Sequence, residues 1–456
     1  MPRVVTSKKA CSVNPLKISQ PIGAALAFMG LNRCMPILHG AQGCTSFGLV
    51  LFVRHFRESI PLQTTAMNEV TTILGGMENI EQALLNINKR AKPEVLGLAS
   101  TGLTETKGED VEGYLKLIRA MRPELASLPI VYVSTPDFKG AFEDGWAKAV
   151  TAIVEALVEP AESRVPGSVN VLAGSHLTAA DVEEIREIIE SFGLRAVILP
   201  DLSGSLDGHV PDEFSPTTIG GTRVENIRAM GRAEATIAIG NQMWSAALAL
   251  EMKTGVPCVL FDRLTGLEAN DKFLEYLATL SGRPVAARYR RQRSQLVDAI
   301  LDAHFFFGGK KIAIGAEPDL LWSLSGWLAE MGCEVSAAVS TTQSPALENV
   351  PADEVLLGDL EDLEMRATGA DLLITHSHGR QAAQRLNIPF LRAGIPCFDR
   401  LGAAHRLYVG YRGARDLTFE IGNIFLANSH ENRPDTWLGA EIAGVSIECH
   451  AQAAIG

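Results

Sequence analysis

The feature that most constrains the fold is a phrase that repeats along the chain from about residue 93 onward. Each copy is a short, apolar, β-branched run that ends in Gly, Ser, Thr or Asp and precedes an amphipathic stretch; examples are PEVLGLAST, SVNVLAGSH and EATIAIGN. Runs this short and this continuously apolar are typical of strands buried on both faces, as in parallel sheets covered by helices. Repeated strand–helix units imply right-handed crossovers. The sequence therefore predicts an α/β fold with doubly wound sheets.

Two breaks divide this pattern into three units of similar size. They lie near residues 159–168, which read EPAESRVPGS, and near residues 283–293. A chain of 456 residues also suits about three domains. We expect three Rossmann-like α/β/α domains with mainly parallel sheets: residues 1–165, residues 166–290, and residues 291–456 with a C-terminal extension. Ligands of open α/β sheets bind beyond the carboxyl ends of the strands, so the loops of the three domains are expected to line a common cleft.

The charge balance argues against two classes of partner. The chain has 41 Lys and Arg residues against 53 Asp and Glu residues, a net charge of −12. Nucleic acid and anionic membranes are therefore not expected partners. No apolar run reaches the roughly 18 residues of a membrane span. The N-terminal run IGAALAFMGL follows several lysines but precedes no small-residue cleavage site, so we expect a cytoplasmic protein.

The common phosphate-binding motifs are absent from the sequence. No GxGxxG follows a predicted strand, and no GxxxxGK[ST] occurs. At the end of one predicted strand, ITHSHGR places His376 and His378 two residues apart. Such a pair can ligate a metal ion, or it can line the polar mouth of a βα loop. Both interpretations stay open at this point.

One of the seven cysteines differs from the others in its context. The set shows neither a CxxC pair nor a zinc-finger spacing, so no disulfide framework or self-contained zinc site is indicated. Cys44 ends the stretch HGAQGC. Gly40 and Gly43 precede it, and the helix-like run TSFGLVLFVRHF follows it. A helix N-terminus favours the thiolate, the form that binds iron or zinc. Because one thiolate cannot hold a cluster, the residues alone leave Cys44 as either a ligand in a shared site or a packed thiol.

Several longer stretches resemble a known family, the nitrogenase molybdenum–iron protein β-subunit family, whose chains are NifD, NifK, NifE and NifN. Its N-terminal domain is similar to NPLKISQPIGAALAFMGLNRCMPILHGAQGC, RHFRE, LGGMENI and KPEVLGLAST. Its third domain is similar to RSQLVDAILDAHFFFGGKKIAIGAEPD and IPFLRAGIPCFDRLGAAHRLYVGYRG. The resemblance reaches both ends of the chain and implies a nitrogenase component 1-like fold.

The cysteine pattern departs from that of the catalytic β subunit. In that subunit three cysteines help to hold the P-cluster, and a gapless comparison places them at Ser19, Cys44 and Gly102. Only one of the three is a cysteine here, so the resemblance implies no P-cluster. The pattern instead resembles the NifN branch, in which a NifE chain supplies three cysteines and its partner supplies one. This implies that Cys44 is the single ligand from this chain to a 4Fe–4S cluster at the subunit interface.

The resemblance also implies a set of partners. Two such chains and two NifE-like chains are expected to form a heterotetrameric scaffold that hosts the iron–molybdenum cofactor precursor, chiefly in the NifE-like chain. The chain is not expected to be an enzyme on its own. The nitrogenase Fe protein (NifH) is expected to dock transiently for insertion of molybdenum and homocitrate. A NifB-type precursor donor and the molybdenum–iron apoprotein as recipient are further implied partners.

Five residues in shared motifs have less specific implications. The stretch TILGGMENI resembles the loop at which the nitrogenase β subunit meets the Fe protein, which implies a docking surface at Leu74, Gly75 and Gly76. The alternative is a plain helix–helix turn. His39 and Arg54 also lie in shared motifs, and a structural role is the alternative for both.

Two other functions stay open as alternatives. The first is an oxidoreductase subunit, either a nitrogenase β chain or the light-independent protochlorophyllide reductase component. Ser19 and Gly102 argue against the nitrogenase chain, and the nitrogenase-specific phrases argue against the reductase. The second is a small-molecule binding protein built from Rossmann-like lobes, and the missing phosphate-binding loops count against it.

Overall fold

The computed structural model describes residues 1–7, 9 and 14–428. Within them, fourteen strands form three sheets, and every strand pair in these sheets is parallel. Helices separate the strands along the chain. The predicted fold class, three Rossmann-like α/β/α units with mainly parallel sheets, is confirmed. The predicted C-terminal extension, residues 429–456, lies outside the described residues.

The first sheet has four strands in the order β3-β2-β4-β5. A preceding strand, β1 (Arg3–Thr6), belongs to the third sheet. The strands of the first sheet are β2 (Cys34–His39), β3 (Gln63–Thr64), β4 (Val95–Ser100) and β5 (Ile130–Val133). The helices of this part are α1 (Gln20–Met29), α2 (Gln42–Phe56), α3 (Glu69–Leu74), α4 (Met77–Ala91), α5 (Gly102–Lys107), α6 (Val111–Met121) and α7 (Phe142–Leu157).

The second sheet also has four strands, in the order β7-β6-β8-β9. They are β6 (Ser168–Ala173), β7 (Arg195–Leu199), β8 (Ala235–Ile239) and β9 (Cys258–Phe261), and the helices are α8 (Ala179–Ser191), α9 (Val224–Arg228), α10 (Trp244–Thr254) and α11 (Leu267–Ser281). Helix α8 begins as the sequence predicts, because the Thr178 hydroxyl accepts a hydrogen bond from the Asp181 amide.

The third sheet has six strands in the order β1-β12-β11-β10-β13-β14. Its strands after β1 are β10 (Lys311–Ala316), β11 (Glu334–Ser340), β12 (Glu354–Leu357), β13 (Leu372–Thr375) and β14 (Phe390–Arg392). The helices are α12 (Ala287–Phe307), α13 (Pro318–Glu330), α14 (Leu360–Arg366), α15 (Arg380–Leu386) and α16 (Gly410–Asn428). None of the described helices combines the length and the apolar composition that a membrane crossing requires.

Helices α1 and α7 approach each other closely through two glycines. A Cβ atom on Gly23 would lie 1.9 Å from the carbonyl oxygen of Phe142, and one on Gly145 would lie 1.9 Å from that of Gln20. Neither position can therefore carry a side chain without separating the helices. This contact fixes the start of α1 beside the start of α7.

Three carboxylates connect the sheets at their carboxyl ends; Glu143 and Asp319 are buried, and Glu317 is partly buried in the wall of a cavity. The Asp319 amide donates to Glu143 Oε2 at 3.0 Å, and the Glu143 amide donates to Glu317 Oε2 at 3.2 Å. Asp319 in turn accepts hydrogen bonds from the amides of Asn241 and Gln242 in the second unit. Burial raises the pKa of Glu317 to about 8. Burial, and then the nearby Asp319 carboxylate, raise the pKa of Glu143 as well.

We expect the free energy of unfolding to fall as the pH rises through the range set by Glu317. Its pKa is about 8 in the folded chain against an ordinary value of 4.5, so the folded state binds the extra proton between these values. The loss is up to about 1.4 kcal/mol per pH unit. Glu317→Gln should flatten this dependence while keeping the acceptor oxygen. Denaturant unfolding of the wild type and of Glu317→Gln between about pH 5 and pH 8 checks this prediction. If the free energy of unfolding depends on pH equally in both proteins, the prediction is wrong.

Candidate functional site

Cys44 lies in the first turn of α2, where the helix is open to its surroundings. Ala41 is the N-cap residue, with extended backbone, and Cys44 is the third residue of the helix. A Cβ atom built on Gly43 would meet no atom within 4 Å, and Cys44 itself is partly buried. The helix predicted after HGAQGC is therefore present. The backbone beside the thiol borders space that no described residue fills.

The turn that leads to Cys44 is fixed by close packing against the neighbouring strand. A Cβ atom on Gly40 would lie 2.3 Å from the Thr101 hydroxyl oxygen. That hydroxyl donates to the His39 carbonyl at 2.9 Å. On the other side, the Met67 amide donates to the Gly40 carbonyl at 2.9 Å. Gly40 is therefore required by a tight contact, and Gly43 is not.

Asp137 is an acidic neighbour of Cys44. Its Oδ2 accepts a hydrogen bond from the Gly102 amide at 3.0 Å. Burial raises the pKa of the Cys44 thiol, and the Asp137 carboxylate raises it further, although the helix amide acts in the opposite direction. The preference for thiolate expected from the helix N-terminus is therefore outweighed in this chain, because desolvation and a like charge both disfavour the anion.

The two other positions compared with cluster cysteines border the same loop. Ser19 is the N-cap residue of α1, and the next side chain, Gln20, donates to a carbonyl in loop 137–140. Gly102 is the first residue of α5 and is held by the same loop. Within the described residues no group of three or more His, Cys, Asp or Glu side chains could hold a metal ion. A cluster at Cys44 would therefore need ligands from outside this part of the chain.

The surface around Cys44 is apolar and exposed. Phe47 is 65% exposed and Val50 is 57% exposed on α2, the helix that carries Cys44 in its first turn. Phe138, next to Asp137, is also exposed. Further exposed apolar side chains on α2 and α5 are Val53 and Leu103. We call these five residues the Cys44 face. Exposed apolar side chains that cluster in this way mark candidate surfaces for a partner.

The Leu74–Gly76 segment joins two helices. Leu74 ends α3 and is 81% exposed; Gly75 has a φ of 121°, and Gly76 is the N-cap residue of α4. No residue of α3 is buried, and Val70 and Ile73 are exposed with Leu74. The segment is thus a helix–helix turn, as the alternative interpretation held, and it also presents apolar side chains. Docking of the Fe protein at this place stays a prediction.

His39 takes part in a buried hydrogen-bond network. Its Nδ1 lies 2.9 Å from the Thr65 hydroxyl oxygen, and its Nε2 lies 2.7 Å from Glu109 Oε2. Glu109 Oε1 accepts from the Gly76 amide at 2.8 Å and from Lys107 Nζ at 3.1 Å. Burial acts to raise the pKa of Glu109, but the hydrogen bonds from His39 and Lys107 hold it below its usual value. The sequence interpretation missed Glu109, which lies 70 residues from His39.

The histidine pair has structural contacts. His376 Nε2 lies 3.3 Å from the Leu16 carbonyl, and its Nδ1 accepts from the His378 amide. Burial, and then the charge of His378, lower the pKa of His376 to about 4. Because both ring nitrogens of His376 have partners, the polar-loop interpretation fits better than the metal site. Arg54, also singled out from the sequence, lies over the Phe398 ring with 4.2 Å to its centre.

A cavity of about 280 Å³ lies where the three units meet. Its walls include His55, His176, Glu317, Arg392 and Cys397. The expected common cleft is therefore present, at the carboxyl ends of strands from the second and third sheets. The other described cysteines are free and are buried or partly buried: Cys34, Cys258, Cys333 and Cys397. Two more, Cys11 and Cys449, lie outside the described residues.

Comparison with known proteins gives a consistent result. The family model described as nitrogenase component 1 type oxidoreductase matches residues 19–426. The nitrogenase iron-molybdenum cofactor biosynthesis protein NifN of Bradyrhizobium diazoefficiens is 61% identical over 445 residues, which cover 96% of this chain and 95% of that protein. The protein of the same name from a Nostoc species is 51% identical and covers 93% of this chain and 95% of its own.

Solved structures agree with these relatives. A chain of the structure named "Nitrogenase Cp1 at pH 6.5" is 30% identical, with a TM-score of 0.87, and the match covers 94% of this chain and 96% of that chain. A chain of "Nitrogenase Cp1 at pH 5" is 14% identical, with a TM-score of 0.69, and this likeness concerns the fold alone.

We expect Gly40→Ala to lower the stability of the chain and Gly43→Ala not to lower it. The first places a Cβ atom 2.3 Å from the Thr101 hydroxyl oxygen and should cost about 1–3 kcal/mol, the usual cost of overpacking. The second adds its methyl to open space in a helix and should be neutral or stabilising by up to about 1 kcal/mol. Denaturant unfolding of the purified chain measures both. Equal effects would show that the turn does not depend on this packing.

Proposed function

The chain belongs to the nitrogenase component 1 type oxidoreductase family, with close relatives named NifN, and from this membership we propose that it is a scaffold subunit for iron–molybdenum cofactor biosynthesis. In this proposal it acts in the cytoplasm and forms a heterotetramer with a NifE-like chain. The complex hosts maturation of the cofactor precursor, which the NifE-like chain chiefly holds. On its own the chain is not catalytic.

The observation that carries the proposal is the isolated position of Cys44. It is a partly buried thiol at an open helix start, and the described residues offer no set of ligands that could hold a metal with it. The positions compared with cluster cysteines, Ser19 and Gly102, border the same loop but carry no thiol. A 4Fe–4S cluster takes four thiolates. Cys44 therefore fits a cluster whose other three ligands come from a partner chain.

The Cys44 face supports a partner at this place. Phe47, Val50 and Phe138 are more than half exposed in the single chain, although aromatic and aliphatic side chains of this size are usually covered. Obligate partners bury large apolar surfaces of this kind. A NifE-like chain seated here would exclude water from the apolar side chains and bring its thiolates to Cys44.

Residues of this chain around Cys44 would hold its thiolate in position for a cluster. A 4Fe–4S cluster supplies one-electron transfer when bound. Gly40 and Thr101 fix the turn that positions Cys44, and Gly43 leaves the helix start open. Asp137 lies close enough to raise the pKa of the Cys44 thiol, so it adds a negative charge beside the proposed ligand.

Transient partners complete the proposal. The exposed apolar side chains of α3, with Leu74 the most exposed, would receive the Fe protein during insertion of molybdenum and homocitrate. A NifB-type protein would deliver the precursor, and the molybdenum–iron apoprotein would receive the finished cofactor. The alternative is a catalytic subunit of a nitrogenase-like oxidoreductase. The word oxidoreductase in the family description and the likeness to nitrogenase structures are the observations in its favour. Reductase activity with Fe protein and ATP, without maturation factors, would support that alternative.

Replacing Cys44 tests the site directly. We expect Cys44→Ala, co-expressed with a NifE-like chain and purified without oxygen, to assemble but to lose or alter the EPR signal of the dithionite-reduced 4Fe–4S cluster. Iron content should fall with the signal, because one of four thiolates is missing. Cys258→Ala is the matched control, since Cys258 is also partly exposed and hydrogen-bonds Glu251 instead. Unchanged iron and EPR in Cys44→Ala would show that Cys44 is a packed thiol.

Placing a charge on the Cys44 face tests the partner interface. We expect Val50→Asp to weaken assembly with the NifE-like chain by at least about tenfold, because the interface would bury an unpaired carboxylate. Met365→Asp is the control: Met365 is 61% exposed, close to the 57% of Val50, but lies on α14 in the third unit. Co-purification and analytical ultracentrifugation measure the assembly. Normal assembly of Val50→Asp would place the interface elsewhere.

A further inference from the structure

We propose that Glu109 is a positioning residue that couples the α3–α4 junction to the segment carrying Cys44. This inference rests on the proposed function, in which the Fe protein docks at α3 and Cys44 ligates a cluster. The buried Glu109 carboxylate would connect docking of the Fe protein at α3 to the position of Cys44. The atoms involved are those of Glu109, His39 and the Gly76 amide.

Glu109 contacts both sides of this coupling. Its side chain is 1% exposed and that of His39 is 0% exposed. One carboxylate oxygen lies 2.7 Å from His39 Nε2, and the other accepts from the Gly76 amide at 2.8 Å. A Cβ atom on Gly76 would lie 2.7 Å from His39 Cε1, so the junction packs directly on the imidazole. Since an unpaired buried carboxylate is costly, movement of either partner pulls on the other.

A second set of contacts connects the same two segments through the backbone. Residues 64–67 lead into α3, and residues 38–41 lead into α2 with Cys44. The Thr65 amide donates to the Leu38 carbonyl at 3.2 Å, and the Met67 amide donates to the Gly40 carbonyl at 2.9 Å. The Thr65 hydroxyl lies 2.9 Å from His39 Nδ1, and the Gly40 amide donates to it at 3.1 Å. The two segments are therefore joined by both backbone and side-chain hydrogen bonds.

Helix α3 itself is well placed to respond to a partner. None of its residues is buried, so the helix has little packing within the described chain to hold it. Its contacts inward run through Lys107, whose Nζ reaches both the Thr71 carbonyl at 3.5 Å and Glu109 Oε1 at 3.1 Å. Few apolar contacts and a polar connection at its end are typical of an element that a ligand can displace.

The coupling can be measured on the assembled complex. We expect Fe protein to change the EPR spectrum of the dithionite-reduced cluster in the wild-type complex. In Glu109→Gln, Fe protein should still bind with a Kd within about threefold of wild type, because no exposed side chain of α3 changes. The docking-induced spectral change should fall by at least about half, because the amide replaces the charge that holds His39 and Gly76 together.

Two further variants keep the result interpretable. Glu81→Gln is the control, since Glu81 also lies near this surface, on α4, but pairs with Arg122 instead of His39. It should leave the spectral change intact. Lys107→Met removes the partly exposed ammonium group that joins Glu109 to Thr71, so it should also reduce the change in the EPR spectrum caused by Fe protein. If Glu109→Gln does not assemble, Lys107→Met tests the coupling in its place.

The outcomes separate this inference from the proposed function. An unchanged spectral response in Glu109→Gln, or no response to Fe protein in the wild type, overturns the coupling. The proposed function is tested by other arms: Leu74→Ala should weaken Fe protein binding, and Cys44→Ala should lose the cluster signal. If those two variants behave like wild type, the proposed function fails whatever Glu109→Gln does.

Discussion

Parallel strand pairing is the constraint on which the rest of this molecule depends. Because every pair in the three sheets is parallel, each strand must be followed by a crossover, and all strands of a sheet end at the same edge. In the first sheet that edge carries His39, Thr101 and Asp137 within reach of each other. In the second and third sheets it carries His176 and Glu317 in the wall of the central cavity. The candidate functional residues therefore lie at the carboxyl ends of the parallel strands.

Buried carboxylates then determine how these edges are held. Glu143 is 2% exposed and Asp319 is 0% exposed, and each accepts amide hydrogen bonds from another part of the chain. Glu109 does the same between the two segments of the first unit. A buried carboxylate is tolerated only with its acceptors filled, so each one specifies a single arrangement of its neighbours. The pKa directions differ because burial dominates at Glu143 and Glu317, whereas at Glu109 the hydrogen bonds from His39 and Lys107 outweigh burial.

The sequence predicted the parts that depend on local pattern. The repeated βα phrase predicted three units with parallel sheets, and Thr178 predicted the start of α8; the structure has both. Gly40 and Gly43 pointed to the turn before Cys44, although only the structure separates the tightly packed glycine from the open one. Pairing of β1 with β12 and contact of Glu109 with His39 could not be predicted, since partners 351 and 70 residues apart leave no periodic signal. Nor could Asp137, whose effect on Cys44 depends on how two loops meet.

A site divided between two chains places unusual demands on the one that supplies a single ligand. The fourth thiolate must already be in position when the partner arrives, because ordering it at that moment would reduce the affinity of the complex. The contacts around Gly40 do this: the turn is fixed on one side by Thr101 and on the other by Met67. The same rigidity has a consequence for communication. In the proposed function, the packing that would prepare Cys44 for a shared cluster would therefore also connect it to displacements at α3.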